Sequence, residues 1–583
     1  MRAQIRVGNS DVCEAQLPGV LRQLGAQFGP ERIIRVRQAV MGHAYARKMN
    51  DFLLVAFKYN KLEASIEVDY ENMRAPSIQY MIPESPATRC LYTAAQTREL
   101  DRIAISRGDG TGFDLMGRAA RVAFRLLRQR WPEARKIVIS CGGGNNGGDG
   151  LVMAGLAAQQ GLEVSVRRLF SPEKLKGEAA EAFQWALARG VRPVAADAAL
   201  PEDVDLVVDA LLGTGLAGPV RADYARELER LAGTGAPVLA IDIPSGLHAD
   251  TGQQLGPVLR ADATITFIGI NRGLLTGQGP ACTGDLYFDD LQVPASVHDA
   301  ISSDWTLLVP ANRAVDACLP TRCPASHKGH YGKVVCLGGN TGMGGALLLA
   351  AGAACRAGAG LVAAITRPEH VMAGLTRWPD VQFSGVARAE EALSRLEWAD
   401  VVVIGPGLGQ DDWAQSLLNA AIRSGKPLIL DADALNLIAA GQVSPPMHSD
   451  WIATPHPGEA ARLLGLSVAE VEANRFLALE NLQGRFGGCW LLKGAGPMWI
   501  AGEDRGVAAS AHAVLAKGGS GDVLSGMLGA LRAQGLSPSD AVRAGLVMQQ
   551  KTARSLERHA PVWACTASDQ VDALARLNVI EAV

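Results

Sequence analysis

The segment Lys517-Gly-Gly-Ser-Gly-Asp-Val-Leu-Ser-Gly526 decides the fold of the C-terminal half, because a glycine-rich turn here runs directly into an apolar helical pattern. Three of its glycines, Gly518, Gly519 and Gly521, would expose backbone N–H groups at a helix N-terminus, where an anion is stabilised. Asp522 follows these amides and is placed to act as a base for a hydroxyl proton. The segment therefore predicts a phosphoryl-transfer site, and the alternative is a capped helix after a flexible turn.

A second glycine-rich segment, Cys141-Gly-Gly-Gly-Asn-Asn-Gly-Gly-Asp-Gly150, follows a predicted strand in the N-terminal half. Its glycines let the backbone approach a phosphate closely, and the following helix N-terminus adds positive potential. The segment has neither the Gly-Lys-Ser/Thr of a P-loop nor the usual spacing of a dinucleotide-binding motif. We therefore expect an anion cradle, with an ordinary glycine-rich turn as the alternative.

Short β-rich runs alternate with helical patterns around both segments, which predicts parallel sheets covered by helices. In the N-terminal half, helices are predicted at 93–106 and 112–130, and strands at 136–141, 163–168, 206–209, 238–243 and 263–268. In the C-terminal half, strands are predicted at 333–337, 360–366, 401–404, 428–431, 451–454 and 490–493. The predicted fold class is α/β with two tandem domains, 89–295 and 326–583, joined by a linker at 296–325. An extension at 1–88 precedes them, with candidate hairpin strands at 52–59 and 64–70 and a proline-containing stretch at 81–88.

Length and composition exclude several classes of protein. The 583 residues are too many for one small domain, and a hydrophobic content of 48% supplies sizeable cores. The 56 basic and 59 acidic residues give a net charge of -3, so neither nucleic acid nor an anionic membrane is expected as a partner. The longest apolar stretch, 344–366, is interrupted by Arg356, which favours a buried helix followed by a strand over a membrane span. Because the ten cysteines are scattered and no secretory signal is evident, we expect a cytoplasmic protein.

Polar side chains follow predicted strands of the N-terminal half. Asn146, Asp209, Asp242 and Ser245 could converge there as oxygen donors, which hard cations prefer. A monovalent ion or solvent is favoured over zinc, because no histidine or cysteine cluster accompanies them. For each aspartate alone, helix capping or turn formation is the alternative.

Together with Tyr92-Thr-Ala-Ala-Gln-Thr-Arg-Glu-Leu-Asp101, these loops resemble the NAD(P)H-hydrate epimerase family over about residues 91–294. The resemblance implies a Rossmann-like three-layer α/β/α domain in which Asp242 is catalytic and faces the reacting C6 centre. It also implies that Asn146, Asp209 and Ser245 bind potassium. The implied contacts to the hydrated dinucleotide are Asn145, Asn146, Gly147, Gly148, Asp149, Gly213, Thr214, Gly215, Leu216, Ala217, Gly218, Pro219 and Asp242.

Further motifs accompany the Gly518–Gly521 turn in a fixed order. They are His327-Lys-Gly-His-Tyr-Gly332, Gly338-Gly-Asn-Thr-Gly-Met-Gly-Gly-Ala346, Gly405-Pro-Gly-Leu-Gly409, Asp431-Ala-Asp-Ala-Leu-Asn436, Thr454-Pro-His-Pro-Gly-Glu459 and Lys493-Gly-Ala-Gly496. The set is similar to the ADP-dependent NAD(P)H-hydrate dehydratase family of the ribokinase-like superfamily, over about residues 306–583. The resemblance therefore implies a ribokinase-like α/β domain.

This second resemblance implies that ADP phosphorylates the C6 hydroxyl of the hydrate, which then leaves as phosphate. Asp522 would be catalytic, and magnesium would neutralise the phosphates. The implied hydrate contacts are Ala346, Gly407, His456 and Asp522, and the implied nucleotide contacts are Lys493, Gly494, Ala495, Gly496, Pro497 and Gly521. Two residues depart from the family pattern: His512 replaces a usual Asn, and Pro497 replaces a frequent Thr. A proline lacks a backbone donor, so altered nucleotide affinity is expected.

The two resemblances together imply a bifunctional enzyme that epimerises R and S NAD(P)H hydrates and dehydrates the S form with ADP, releasing AMP and phosphate. Its substrates would be NADHX, NADPHX and ADP, and we expect a homo-oligomer. One alternative is a ribokinase-like small-molecule kinase with a regulatory N-terminal domain. Another is a binding module without catalysis, although the complete glycine segment with Asp242 and Asn146 argues against it.

Overall fold

The computed structural model describes residues 2–6, 12–16, 90–108, 110–309 and 322–577. The chain divides into two compact units, residues 1–75 and 76–583. In the first unit, strands β1 (Arg2–Arg6) and β2 (Val12–Gln16) pair antiparallel. The predicted strands at 52–59 and 64–70 and the predicted linker-like stretch at 81–88 lie outside the described residues.

The N-terminal domain is built on a seven-stranded parallel sheet in the order β11-β9-β8-β7-β4-β5-β6. Its strands, with two that join another sheet, are β3 (Cys90–Tyr92), β4 (Lys136–Cys141), β5 (Glu163–Arg168), β6 (Val194–Ala195), β7 (Leu206–Ala210), β8 (Val238–Ile241), β9 (Ala263–Phe267), β10 (Ile270–Asn271) and β11 (Asp285–Asp289). The helices are α1 (Ala94–Arg107), α2 (Gly112–Arg130), α3 (Asn145–Gln159), α4 (Gly177–Leu187), α5 (Ala222–Ala232), α6 (Gly279–Thr283) and α7 (Ala295–His298).

Helices cover both faces of this sheet. Ile137 and Ile139 of β4 pack with α2, α3 and α4, whereas Val138 between them packs with Tyr224 and Leu228 of α5. Successive strand residues point to opposite faces, so one apolar strand serves two helical layers. The domain is therefore a three-layer α/β/α structure, as the resemblance implied.

The C-terminal domain is built on a twelve-stranded sheet in the order β10-β3-β12-β21-β20-β19-β18-β17-β16-β13-β14-β15. Its own strands are β12 (Trp305–Leu308), β13 (Lys333–Leu337), β14 (Leu361–Thr366), β15 (Gln382–Gly385), β16 (Val401–Ile404), β17 (Leu428–Leu430), β18 (Trp451–Ala453), β19 (Cys489–Leu492), β20 (Met498–Ala501) and β21 (Asp504–Ala508). The helices are α8 (Gly344–Arg356), α9 (Val371–Arg377), α10 (Leu393–Trp398), α11 (Asp412–Arg423), α12 (Asp433–Ala439), α13 (Pro457–Leu464), α14 (Val468–Ala473), α15 (Arg475–Phe486), α16 (Ser520–Ala533), α17 (Pro538–His559) and α18 (Ala567–Leu574).

Two strands of the N-terminal half extend the C-terminal sheet. Leu91 of β3 lies opposite Trp305 of β12, and Leu308 of β12 lies opposite Ala508 of β21. Part of segment 296–325, predicted as a linker, is thus folded as a strand. One hydrophobic cluster includes Leu91, Trp305 and Met498, so the two domains share a continuous core.

Most predicted strands coincide with observed ones. Strands β4, β5, β13 and β16 have the predicted bounds, and the others agree within a few residues. The predicted apolar stretch 344–366 is helix α8 followed by strand β14. Within the described ranges, every helix is too short or too polar to cross a membrane.

Candidate active sites

The N-terminal site lies where β4, β7 and β8 end and helix α3 begins. Asp242 directly follows β8 and has a backbone φ of 67°. A Cβ at Gly213 would lie 3.0 Å from Asp242 Oδ2 and 3.2 Å from Asn146 Cβ, so loops from all three strands meet here. Aspartate tolerates positive φ better than most residues, and such conformations concentrate at functional sites.

Three carboxyl groups influence one another at this site. Burial raises the pKa of Asp242 to about 6, although the Thr214 N–H, 3.3 Å from Asp242 Oδ2, opposes the shift. Burial and then the charge of Asp242 raise the pKa of Asp101 to about 7. Burial, Asp242 and Asp101 also raise the pKa of Asp149. The site therefore holds groups that exchange protons near neutral pH. Asp101, at the end of the segment that opened the resemblance, was not among the predicted site residues.

Two of the three predicted cation ligands, Asp209 and Ser245, are hydrogen-bonded to each other. Asp209 is fully buried and accepts hydrogen bonds from the Ser245 backbone N–H at 2.8 Å and the Ser245 hydroxyl at 2.6 Å. Both polar side-chain atoms of Asn146 are buried and have no hydrogen-bond partner among the described residues. A buried amide costs free energy when it is unpaired, and the oxygen donors of Asn146, Asp209 and Ser245 are of the kind that suits a hard cation.

The other predicted contacts of this site differ in position. Gly147 and Gly148 are buried in the first turn of α3, while Asn145 is exposed. In the loop after Thr214, three predicted residues are exposed and two are partly buried: Gly215, Ala217 and Pro219, then Leu216 and Gly218. The structure thus brings Asn146, Gly213, Thr214 and Asp242 together, and the loop at 215–219 forms an outer rim.

The C-terminal site lies at the N-terminus of helix α16. Gly519 caps this helix with a φ of 96°, and a Cβ there would lie 4.0 Å from Asp522 Oδ2. Burial raises the pKa of Asp522 to about 7; the charge of Asp431 adds to the shift, and Lys493 opposes it. Asp522 is therefore poised to accept a proton near neutral pH, beside the amides that the sequence predicted as an anion site.

A cluster of charged side chains lies next to the start of α16. Lys493 Nζ lies 2.7 Å from Asp431 Oδ1 and 3.9 Å from Glu459 Oε2. The Ser525 hydroxyl donates to Asp431 Oδ2 at 2.7 Å, one turn into α16. Burial acts to raise the pKa of Asp431, but Lys493 and these hydrogen bonds lower it below its ordinary value.

This cluster includes one of the predicted nucleotide contacts and lies beside another. A Cβ at Gly521 would lie 3.1 Å from Lys493 Nζ, so the predicted nucleotide contacts Lys493 and Gly521 are neighbours. Asp431, Glu459 and Ser525 were not predicted as site residues, although all three stand in motifs quoted above. The signal for the two acids was their position directly after a buried strand or at the start of a helix.

Among the predicted hydrate contacts, His456 lies at the start of helix α13, whereas Ala346 and Gly407 are neighbours. The half-exposed His456 caps α13, and its Nδ1 accepts the Gly458 N–H at 2.9 Å. Burial, followed by the charges of Lys493 and Arg462, lowers the pKa of His456. A Cβ at Gly407 would lie 3.2 Å from Ala346 Cβ, so these two residues adjoin.

The predicted nucleotide loop, residues 493–497, connects β19 to β20. Gly494 and Ala495 are exposed, whereas Gly496 and Pro497 are buried. The Pro497 carbonyl accepts the Ala508 N–H at 2.9 Å. His512, which departs from the family pattern, contacts helix α17: its Nδ1 lies 2.9 Å from Glu557 Oε2.

The fold and the two sites define a class: a two-domain α/β enzyme in which a Rossmann-like domain with a group of interacting acids is joined to a ribokinase-like domain. Residues 334–576 match the family model described as NAD(P)H-hydrate dehydratase, and residues 112–273 match that of the YjeF-related protein N-terminus. The chain belongs to the family of bifunctional NAD(P)H-hydrate repair enzymes.

Two relatives, both bifunctional NAD(P)H-hydrate repair enzymes, support this membership. The bifunctional NAD(P)H-hydrate repair enzyme of Coxiella burnetii is 44% identical over 465 residues, which cover 79% of this chain and 94% of the relative. That of Escherichia coli is 42% identical over 468 residues, 80% of this chain and 90% of the relative. A solved ADP/ATP-dependent NAD(P)H-hydrate dehydratase from Bacillus subtilis, co-crystallised with ATP and Mg²⁺, is 28% identical and covers 45% of this chain and 95% of its own, with a TM-score of 0.41.

The predicted family, fold class and bifunctional enzyme activity are thus confirmed. The roles of individual residues and the identity of the cation stay predictions.

Proposed function

We propose that this chain repairs the hydrated cofactors NADHX and NADPHX in two steps, with separate sites for the two steps. The N-terminal site interconverts the R and S hydrates, and the C-terminal site dehydrates the S hydrate with ADP. The supporting observation is that the two acids belong to different domains: Asp242 directly follows β8, whereas Asp522 lies in the first turn of α16 near Asp431, which follows β17. Burial raises the pKa of both Asp242 and Asp522. Both epimers can then reach the dihydronicotinamide through one stereospecific step.

Epimerisation at C6 requires reversible loss of a hydroxyl beside the ring nitrogen. Asp242 would act as the acid and base, because a group with a pKa of about 6 exchanges protons readily near neutral pH. Asn145, the α3 start at 146–149 and the loop at 213–219 would hold the dinucleotide. Asn146, Asp209 and Ser245 would hold potassium, which supplies fixed positive charge beside the dinucleotide.

Dehydration requires a better leaving group than hydroxide. Asp522 would remove the C6 hydroxyl proton, and the oxygen would attack the β-phosphorus of ADP so that AMP leaves. The ring nitrogen would then expel phosphate from C6, and loss of the C5 proton restores the dihydronicotinamide. The amides of Gly518, Gly519 and Gly521 would stabilise the transferring phosphoryl group, and magnesium would neutralise the phosphates.

The other proposed contacts divide between the two ligands of this site. Ala346, Gly407 and His456 would contact the hydrate, and residues 493–497 with Gly521 would contact ADP. Lys493 is also held by Asp431, so its charge would act at the phosphates from a fixed position.

The test uses purified protein with magnesium, ADP and either epimer of the hydrate. Recovery of the near-ultraviolet absorbance of NADH, with equal release of AMP and inorganic phosphate, is expected from both. The Asp242→Asn variant should lose use of the R hydrate and keep turnover of the S hydrate. A stable phosphorylated product without phosphate release would instead indicate a small-molecule kinase. The proposal includes a cytoplasmic homo-oligomer, which light scattering and cell fractionation test.

A further inference from the structure

The nucleotide loop at 493–497 is in direct contact with the N-terminal domain. The Thr276 hydroxyl donates to the Gly496 carbonyl oxygen at 3.1 Å and lies 3.3 Å from Met498 Sδ. On its other side, the Gly496 N–H donates to the Ser510 carbonyl at 2.8 Å. The Gly496 peptide unit is therefore held between one domain and the other.

The contact between Gly496 and the N-terminal domain has no room for a side chain at position 496. Gly496 has a φ of 61°, and a Cβ there would overlap the Leu275 carbonyl oxygen and lie 2.9 Å from Thr276 Cα. Leu275 and Thr276 are both fully buried. Any displacement of this part of the N-terminal domain therefore displaces the loop, because two backbones in van der Waals contact cannot move independently.

The contacting residues belong to a bracing segment, residues 272–283, which is itself well anchored. The Gly273 N–H donates to the Ala249 carbonyl at 2.7 Å, and the Gln278 N–H donates to the Gly252 carbonyl at 3.0 Å. Arg272 lies over the ring of Phe476 in α15, at 4.2 Å. The segment is thus fixed to its own domain and also packs against the domain that carries the loop.

We propose that Thr276 is a positioning residue for the nucleotide loop, so that the N-terminal domain sets the affinity of the C-terminal site for a nucleoside diphosphate. The inference rests on the proposed function, since it takes residues 493–497 as the ADP contact. Thr276 acts through Gly496 and touches no reacting atom. By thermodynamic linkage, bound ADP also stabilises the bracing segment.

The test compares three variants in the full-length protein. Thr276→Val removes the hydroxyl that pairs with the buried Gly496 carbonyl, and Thr276→Ser keeps it. Thr552→Val is the control, because the buried Thr552 hydroxyl donates to the Met548 carbonyl at 2.8 Å within α17. We expect Thr276→Val to weaken ADP binding and raise KM for ADP by about five- to tenfold, with kcat nearly unchanged. Thr276→Ser and Thr552→Val should resemble the wild type.

Several outcomes would overturn the inference. Wild-type affinity for ADP in Thr276→Val, measured by calorimetry, would show that the brace does not act on the loop. An equal loss in Thr552→Val would show a general effect of stability. If Thr276→Val does not fold, amide hydrogen exchange is measured in the wild type with and without ADP. ADP should slow the exchange of amides in 272–283, and an unchanged exchange rate would refute the inference. Wild-type protein that fails to bind ADP would overturn the proposed function as well.

Discussion

The turn before helix α16 tolerates an added methyl group at one glycine and not at its neighbour. At Gly519 a Cβ would lie 2.6 Å from Leu349 Cδ1 and 2.7 Å from Ala567 Cβ, in a backbone with φ of 96°. At Gly518 the same atom would have no neighbour within 4 Å. The positive φ costs about 1–2 kcal/mol for an L-residue and the overlap about 1–3 kcal/mol. Gly519→Ala should therefore lower the free energy of unfolding by about 2–5 kcal/mol.

The same substitution should also disturb catalysis. Relief of the overlap moves the turn that aligns its amides with Asp522, and a displacement of about 1 Å at a reacting site costs on the order of 100-fold in rate. We expect Gly519→Ala to lose about that factor in kcat/KM for the S hydrate, followed by NADH absorbance, and Gly518→Ala to stay within about threefold. Urea denaturation measures the stability of both. If Gly519→Ala retains wild-type kcat/KM and stability, Leu349 and Ala567 do not constrain the turn.

Two further predictions concern pH and a buried ion pair. Asp522 must be deprotonated to accept a proton, so kcat/KM for the S hydrate should fall as pH drops through about 7, the pKa to which burial raises this carboxyl. With dehydratase activity in excess, turnover of the R hydrate should fall only as pH drops through about 6, the pKa of Asp242. If turnover of both hydrates fell at the same pH, the two steps would not depend on separate acid groups. Arg167 and Glu227 form a fully buried ion pair at 2.6 Å, so Arg167→Met leaves a buried carboxylate without its main partner. We expect a loss of about 3–5 kcal/mol of stability in urea denaturation; a change below about 1 kcal/mol would show that the pair contributes little.

The central strands of both domains could be predicted from sequence because they are buried on both faces. Strand β16 is a continuous apolar run, and β4 is one apart from Lys136 and Ser140. Strand β12 was missed because its four residues pair with Leu91 and Ala508, which are distant in sequence. No local pattern reports a partner of that kind.

The sites were predictable to a similar degree. Glycine turns and acidic residues near strand ends or helix starts predicted Asp242 and Asp522, and the structure places each beside other acidic groups; their catalytic roles stay predictions. Asp101 was missed because it reaches its site from a helix. Asp431 and Glu459 were missed because they act through Lys493, and such contacts exist only after the chain has folded.

The strand pairing between the two halves has a consequence for synthesis on the ribosome. Thr306 of β12 lies opposite Gly506 of β21, 200 positions later in the chain (506 minus 306). At about 5–20 residues per second, β12 waits about 10–40 s for its partner. During that delay the nascent chain presents an unpaired strand edge, which is a site for aggregation. A translation pause or a chaperone that acts at this junction between the two enzymes would therefore affect the yield of folded protein.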